Sequence, residues 1–167
     1  MRVTRHPRNA GYGRSLKTGI EVARFETVFV ADANLIYTLE SMFELLAEFR
    51  KRFDMVVGAR TGGHFRESAV KAPMRAFLRF LVEYASGSSI PDVNSGLRVF
   101  AKSAVMRHFS RLSNGFSFTT SLTLAYLMTG RFVAWHPIPY RGRKGRTKLR
   151  LFRDSLRTLQ YVVESAV

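Results

Sequence analysis

The chain has 167 residues, and 46% of them are aliphatic or aromatic, which suits one folded domain with a substantial core. It has no cysteine, so disulfide bonds and thiolate metal sites are excluded, and its four histidines lack the spacing of a zinc site. No apolar run is long enough to cross a bilayer, and no signal peptide is predicted after Met1. The formal net charge of +15 predicts an anionic partner: a phosphorylated substrate, a lipid headgroup or nucleic acid.

Hydrophobic periodicity predicts helices and strands in alternation along the chain. In chain order, the predicted elements are a helix at 14–24, a strand at 27–31, a helix at 39–52, a strand at 55–57, a helix at 67–85, a strand at 96–100, a helix at 117–128, a strand at 132–135 and a helix from 152 onward. Strands separated by helices predict an α/β fold with a largely parallel sheet.

The helix at 39–52 has the clearest amphipathic pattern. Thr38 is its predicted N-cap. Its predicted buried face consists of residues spaced three and four apart, namely Leu39, Met42, Phe43, Leu46 and Phe49.

Polar side chains follow the strand at 27–31. Asp32 comes directly after it, and Asn34 lies two residues further on. The carboxyl end of a strand in an open α/β sheet borders the crevice where ligands bind. Two oxygen side chains at this spacing suit a divalent cation that also binds substrate phosphates. The segment therefore suggests a metal–diphosphate site, and the alternative, an Asp that only caps the next turn, stays open.

A second candidate segment runs from Asp92 to Arg98. Asp92 follows Pro91 in a predicted turn, and Gly96 permits backbone conformations that other residues resist. A carboxylate beside an arginine can act as a general base or orient a substrate hydroxyl. A turn Asp in a structural ion pair is the alternative.

The end of the chain is strongly basic. Glycines alternate with cations in residues 140–148, which predicts a flexible loop that closes on phosphates. A solvated charged loop and a nucleic-acid contact are the alternatives. Residues 151–167 carry apolar side chains at helical spacing beside arginines, which predicts a basic amphipathic helix that packs on the sheet or lies in a membrane interface.

The order of the motifs resembles that of a known family. The motifs are Asn9-x-Gly-x-Gly13, Val30-Ala-Asp-Ala-Asn34-Leu35, Asp54-Met-Val-Val-Gly-Ala-Arg60, Asp92-x-x-Ser-Gly-Leu-Arg98, Pro137-Ile-Pro-Tyr-Arg141 and Gly145-Arg-Thr-Lys148. Together they are similar to the family 2 glycosyltransferases, specifically the polyprenyl-phosphate sugar synthases that resemble dolichol-phosphate mannose synthase. The resemblance covers almost the whole chain.

This resemblance implies an incomplete GT-A type fold with a mostly parallel sheet flanked by helices. Residues 1–150 would form a catalytic domain that lacks its first strands, and residues 151–167 would form the juxtamembrane helix. The implied reaction transfers a sugar from a nucleotide diphosphate sugar to a polyprenyl phosphate, dolichyl or undecaprenyl, with Mg²⁺ or Mn²⁺. The implied location is cytoplasmic, peripheral at the inner face of an anionic membrane, with no nucleic-acid partner.

The resemblance also carries over roles for individual residues. Asp32 and Asn34 would hold the metal and the donor diphosphate, and Asp92 would be the catalytic residue beside the acceptor phosphate and the donor sugar. Asp32 and Asp92 are expected to face one cleft at the carboxyl edge of the sheet. The residues that would bind substrate phosphates are Arg60, Arg75, Arg98, Arg141, Arg143 and Lys148.

Two departures from the family pattern predict impaired transfer. Asn34 stands where the family usually has a second Asp, so the loss of one negative charge lowers the expected metal affinity. The strands that embrace the nucleotide base are expected to be absent, so that a missing N-terminal half or a membrane partner would have to supply them. A catalytically dead fragment, or a basic module that binds nucleic acid or anionic lipid, is the alternative function.

Overall fold

The computed structural model describes residues 3–31, 37–61, 89–92 and 95–139, together with residues 80, 83 and 87. Its strands are β1 (Thr27–Val30), β2 (Met55–Thr61), β3 (Arg98–Ala101) and β4 (Val133–Pro139). Its described helices are α1 (Tyr12–Val22), α2 (Leu39–Phe49), α3 (Lys102–Met106) and α4 (Phe118–Met128). The predicted helices at 67–85 and from 152 onward, and the basic loop at 140–148, lie almost wholly or wholly outside the described residues.

The four strands form one mixed sheet in the order β1-β3-β2-β4. β2 pairs with β4 in parallel, whereas β3 is antiparallel to both β1 and β2. β1, β2 and β4 therefore run in one direction, which confirms the α/β class, but the described sheet is mixed rather than mostly parallel, since two of its three pairings are antiparallel. The reversed direction of β3 was not predicted, and it decides which edge of the sheet receives the residues before Arg98.

Helices cover both faces of this sheet. On one face, α1, α3 and α4 pack on a core that includes Ile20, Met55 and Phe100. On the other face, α2 packs through Leu45 on a smaller core that includes Val56 and Val99. The neighbouring strand residues Met55 and Val56 thus serve opposite cores, as the two-residue period of a strand requires.

The predicted buried face of α2 is wrong in part. The fully buried residue is Leu45, which the predicted stripe did not include, while Leu39 and Phe43 are exposed. Thr38 caps the helix as predicted, because its side chain accepts a hydrogen bond from Ser41 N at 3.3 Å. The helix ends at Phe49, before the predicted end, and Arg52 then adopts a left-handed φ of 74°.

α4 is buried all around rather than on one stripe. Its first seven residues, Phe118–Leu124, are all buried, and they include threonines and a serine. Two of these hydroxyls donate within the helix, Ser121 Oγ to Phe118 O at 3.0 Å and Thr123 Oγ1 to Thr119 O at 3.0 Å. These two hydroxyls of the buried helix are thus satisfied locally.

β4 is longer than predicted because it lies at an edge of the described sheet. The sequence predicts a strand that stops at Trp135, before two prolines, but the strand continues to Pro139. Pro137 and Pro139 lie two residues apart, so the backbone positions that lack an N–H group face the same side of the strand. An edge strand tolerates proline when that side faces away from its partner.

Candidate active site

The candidate site lies at the carboxyl edge of the parallel strands. β2 ends there at Thr61, whose hydroxyl donates to Ile138 O on β4 at 3.0 Å. β3 begins at the same edge, since Val30 at the end of β1 pairs with Arg98 at the start of β3. The antiparallel direction of β3 therefore brings the segment before it to the edge where β1 and β2 end.

Arg60 and Asp92 form a two-pronged ion pair at this edge. Arg60 Nε donates to Asp92 Oδ2 at 2.6 Å, and Arg60 Nη2 donates to Asp92 Oδ1 at 2.8 Å. The backbone N–H of Arg60 also donates to Oδ2 at 3.3 Å. The Asp92 side chain is 3% exposed and the Arg60 side chain is 20% exposed. This parallel geometry is the strong form of a guanidinium–carboxylate contact, and it leaves the cation as the more accessible partner.

Asp92 lies where the sequence predicts, but its contact differs from the one that the sequence suggests. The motif spacing favours Arg98 as the neighbouring arginine, whereas the side chain that binds both carboxylate oxygens is Arg60. The reason is the sheet register: Val57 pairs with Arg98, so β2 carries Arg60 three residues beyond that pair, toward the edge.

Arg98 is enclosed in the interior, with 1% of its surface exposed. Its Nε donates to Ser95 O at 2.9 Å, and its Nη1 donates to Thr119 O at 2.9 Å and Thr123 Oγ1 at 2.7 Å. Burial lowers the pKa of Arg98 to about 10, and the negative charge of Asp92 partly opposes this shift. Arg98 thus links the start of β3 to α4, and its burial does not support the predicted contact with substrate.

Sequence reasoning missed the residues of α4 that position this arginine. Thr119 and Thr123 lie one turn apart, and both contact the Arg98 guanidinium. The available signal was the run of threonines and serines in an otherwise apolar helix, because such residues need partners when buried.

The motif Asn9-x-Gly-x-Gly13 has a packing role in the structure. Gly11 precedes α1 with a φ of 95°, and a Cβ there would lie 2.6 Å from Asn114 O. A Cβ on Gly13 would overlap the Ser113 carbonyl oxygen. Lys17 strengthens the same contact, since its Nζ donates to Leu112 O at 2.6 Å and to other oxygens of this loop. The glycines therefore allow the start of α1 to approach the loop before α4.

The predicted metal and phosphate ligands are mostly outside the described residues. These are Asp32, Asn34, Arg75, Arg141, Arg143 and Lys148. Within the described part of the chain, no group of three His, Asp or Glu side chains is arranged to hold a metal ion. In the same part, none of the helices has the length and apolar character needed to cross a membrane.

Comparison with known protein families decides the assignment of this fold. The family model for glycosyl transferase family 2 matches residues 1–109, a span that contains Arg60, Asp92 and Arg98. The chain belongs to glycosyl transferase family 2. This confirms the resemblance that the motif order predicts.

Two curated relatives of this family 2 chain come from Haloferax volcanii. The low-salt glycan biosynthesis hexosyltransferase Agl6 is 25% identical over 166 residues, which cover 96% of this chain and 40% of the relative. A dolichyl-phosphate hexose transferase is 26% identical over 141 residues, which cover 83% of this chain and 60% of the relative. The chain thus spans less than two thirds of the length of either relative.

Solved structures of glucosyl-3-phosphoglycerate synthase from Mycobacterium tuberculosis share the fold. The complex with Mg²⁺ and uridine diphosphate superposes with a TM-score of 0.68 at 17% identity, covering 98% of this chain and 56% of that one. The complex with Mn²⁺, uridine-diphosphate-glucose and phosphoglyceric acid gives a TM-score of 0.65 at 17% identity, covering 98% and 56%. At this identity the match establishes the GT-A fold predicted for this family 2 chain.

Proposed function

We propose that this chain transfers a sugar from a nucleotide diphosphate sugar to a polyprenyl phosphate, with Arg60 and Asp92 at the centre of its site. The observation that carries the proposal is the two-pronged Arg60–Asp92 pair at the carboxyl edge of the sheet. Membership of family 2 supports sugar transfer, and the dolichyl-phosphate hexose transferase among the relatives supports a lipid phosphate as acceptor.

In this proposal Arg60 binds phosphate oxygens and Asp92 positions Arg60. Asp92 is the more buried partner, so an anion that approaches from solvent meets the guanidinium first. A guanidinium held on one side by a carboxylate keeps a fixed orientation, and fixed donors stabilise developing charge better than mobile ones. Arg98 stands behind the pair and holds the start of β3 against α4.

The transfer step needs no protein base. An oxygen of the acceptor phosphate, already an anion near neutral pH, forms a bond to the anomeric carbon of the donor sugar. The bond from that carbon to the diphosphate oxygen breaks, and the nucleoside diphosphate leaves with the electron pair. We therefore assign Asp92 to orientation rather than proton transfer.

Asp32 and Asn34 are the proposed ligands of a divalent cation. Their donor atoms are a carboxylate and an amide oxygen, which suit Mg²⁺ or Mn²⁺. When bound, such a cation neutralises charge on the leaving diphosphate. Because Asn34 supplies no negative charge, we expect weak metal binding and slow transfer. Arg75, Arg141, Arg143 and Lys148 remain proposed phosphate ligands.

We also propose a peripheral position at the cytoplasmic face of the membrane, through the basic amphipathic helix that the sequence predicts at 151–167. Each cation near an anionic surface contributes about 1 kcal/mol, and salt screens it. Sedimentation with anionic and neutral vesicles tests this: binding should require anionic lipid and should fall when residues after Tyr140 are deleted. Equal binding to both kinds of vesicle would contradict the membrane proposal.

The test of transfer uses radiolabelled nucleotide sugars, Mn²⁺ and a polyprenyl phosphate, with extraction of the lipid product. We expect slow transfer that falls about 100-fold in Asp92→Asn, since misplacing a binding group has this order of effect. Asp54→Asn is the matched control, because Asp54 accepts an arginine at the opposite edge of the sheet. Full transfer by Asp92→Asn would remove Asp92 from the site, and no transfer from any nucleotide sugar would reject the substrate assignment.

A further inference from the structure

A second cluster of chemically active side chains lines a cavity that is open to solvent at the amino edge of the sheet, where β2 and β4 begin. The cavity has a volume of about 290 Å³, and its described lining includes Asp54, Arg107, His108, Arg131 and Phe132. β2 separates this cavity from Arg60 by about 20 Å, from the rise per residue of a strand. The cavity is therefore distinct from the candidate active site.

Arginine donors at this cavity exceed the acceptors around them. Arg131 Nη1 donates to Asp54 Oδ1 at 2.6 Å, and within the described chain its Nε and Nη2 have no protein acceptor. Arg107 donates through Nε to Ser103 O at a long 3.4 Å, and no described acceptor takes its two Nη groups. Asp54 uses its second oxygen for Phe132 N at 2.9 Å. Each oxygen of the nearby carboxylate thus already accepts one hydrogen bond, while several arginine N–H groups have no described protein acceptor.

A buried hydroxyl lies beside this cavity, although Tyr126 is not part of its described lining. Tyr126 OH is enclosed and has no hydrogen-bond partner among the described residues, which costs about 1–3 kcal/mol when left unmade. The Tyr126 ring packs against His108, with the ring centroids 5.7 Å apart. The imidazole of His108 makes no hydrogen bond to the described protein either. A buried hydroxyl and an imidazole therefore adjoin the two arginines.

The charges around His108 favour an anion. Burial lowers the pKa of His108 first, and the positive charges of Arg131, Arg111 and Arg107 lower it further. Asp54 is the acidic residue of the described lining, and it is paired with Arg131. An anion in the cavity would offset the arginine charges and so favour the protonated imidazole.

We propose that this cavity binds a phosphate monoester or a similar oxyanion, held by Arg107, Arg131 and His108. A volume of about 290 Å³ holds a phosphate group with a small organic substituent, since one water occupies about 30 Å³ of liquid. Two guanidinium groups suit a doubly charged phosphate, because each forms charge-assisted hydrogen bonds to its oxygens. The phosphate belongs to a soluble metabolite or to a lipid headgroup.

The test follows the His108 imidazole by NMR while inorganic phosphate is added to the whole chain at constant ionic strength. We expect a saturable change in the His108 signal, assigned by its loss in His108→Gln, and a rise in the pKa of His108 at saturation. Arg107→Gln should weaken binding about tenfold, the effect of one charged hydrogen bond. Arg111→Gln is the matched control, because it removes a charge near His108 that does not line the cavity, and it should weaken binding only about twofold.

Two results would overturn the proposal. One is a His108 signal that does not respond to phosphate, and the other is equal weakening by Arg107→Gln and Arg111→Gln, which would indicate unspecific attraction. Two further probes, glycerol phosphate in solution and vesicles that contain phosphatidate, distinguish a soluble metabolite from a lipid headgroup. The probe whose binding is weakened by Arg107→Gln identifies the natural source of the phosphate. If neither probe shows this dependence on Arg107, the proposed site is rejected. These measurements use no nucleotide sugar, so their outcome is independent of the transfer assay.

Discussion

An ion pair lies at each end of β2, and the two pairs differ in burial rather than in length. Both have a shortest N–O distance of 2.6 Å. At the carboxyl edge the Asp92 side chain is 3% exposed, whereas at the amino edge the Asp54 side chain is 26% exposed. Water can replace a partner of Asp54 but reaches Asp92 with difficulty. Although the two contact distances are equal, loss of the arginine partner should therefore destabilise the protein more at Asp92 than at Asp54.

The two pairs also organise different parts of the chain. Asp92 binds both the guanidinium and the backbone N–H of Arg60, and so fixes the orientation of that side chain. Asp54 binds the Arg131 side chain and the Phe132 backbone N–H, and so fixes the entry into β4. The buried pair orients a charged group at the candidate active site, while the exposed pair orders a loop.

The largest expected effect comes from breaking the buried pair. Asp92→Ala removes a carboxylate and leaves the mostly covered guanidinium of Arg60 without it, which should lower the free energy of unfolding by about 3 kcal/mol. Asp54→Ala, the matched change at the other edge, should cost about 1 kcal/mol. Urea denaturation of both variants measures the difference, and equal losses would show that burial does not distinguish the pairs.

Hydrogen bonds near the two edges of the sheet should also differ in their contribution to stability, and the buried one should contribute more. Thr123→Val removes a hydroxyl that accepts from the buried Arg98 Nη1 at 2.7 Å, and we expect a loss of about 2 kcal/mol in unfolding free energy. Thr129→Val removes an exposed hydroxyl that donates to Ala125 O, and it should cost about 0.5 kcal/mol or less. A larger loss in Thr129→Val would reverse the proposed order. Thermal denaturation of both variants gives the comparison.

A double-mutant cycle on Arg131 and Asp54 should give a small coupling energy. For a partly exposed pair we expect about 0.5–1 kcal/mol from Arg131→Gln, Asp54→Asn and the double variant. Salt at about 1 M should reduce the coupling, because the screening length is then about 3 Å. If the coupling energy of Arg131 and Asp54 exceeded that of Arg60 and Asp92 in an equivalent cycle, burial would not explain the difference between the two pairs.

The smallest effect is a pH dependence that arises at the amino edge. The pKa of His108 is lowered in the folded state, mainly by burial, so the unfolded chain binds more protons as the pH falls below about 6.5. Stability from His108 is therefore present above that pH and is lost on acidification. Between about pH 7.5 and pH 5.5, wild type should lose more stability than His108→Gln, and a larger loss in the variant would give the opposite sign.

Most elements of the described fold follow from local sequence patterns. β1, β2 and α4 begin at or within one residue of their predicted starts, because apolar runs are local signals. α1 begins and ends two residues early, since Gly11 precedes it and Ala23 is already extended. β4 continues through two prolines because it is an edge strand, and edge position depends on the assembled sheet.

The candidate site was predictable in its residues but not in its contacts. The motifs identify Asp92 and Arg60 as site residues. Their pairing was not predicted, because it joins residues 32 positions apart and no local sequence pattern indicates such a contact. Burial of Arg98 was not predicted because arginine is rarely enclosed without partners, and its partners come from α4. The direction of β3 likewise depends on pairing with β1 and β2, which periodicity does not report.

The reversed direction of β3 has a consequence for how the chain above the site can change. The connection between β2 and β3 leaves and rejoins the sheet at one edge, and its last residue is anchored by Gly58 N, which donates to Leu97 O at 2.9 Å. A connection closed in this way costs only about 0.6 kcal/mol more when its length doubles. The length of this connection can therefore change at a small entropic cost, provided that Ile90 and Asp92 keep their places, because Ile90 is fully buried and Asp92 binds Arg60.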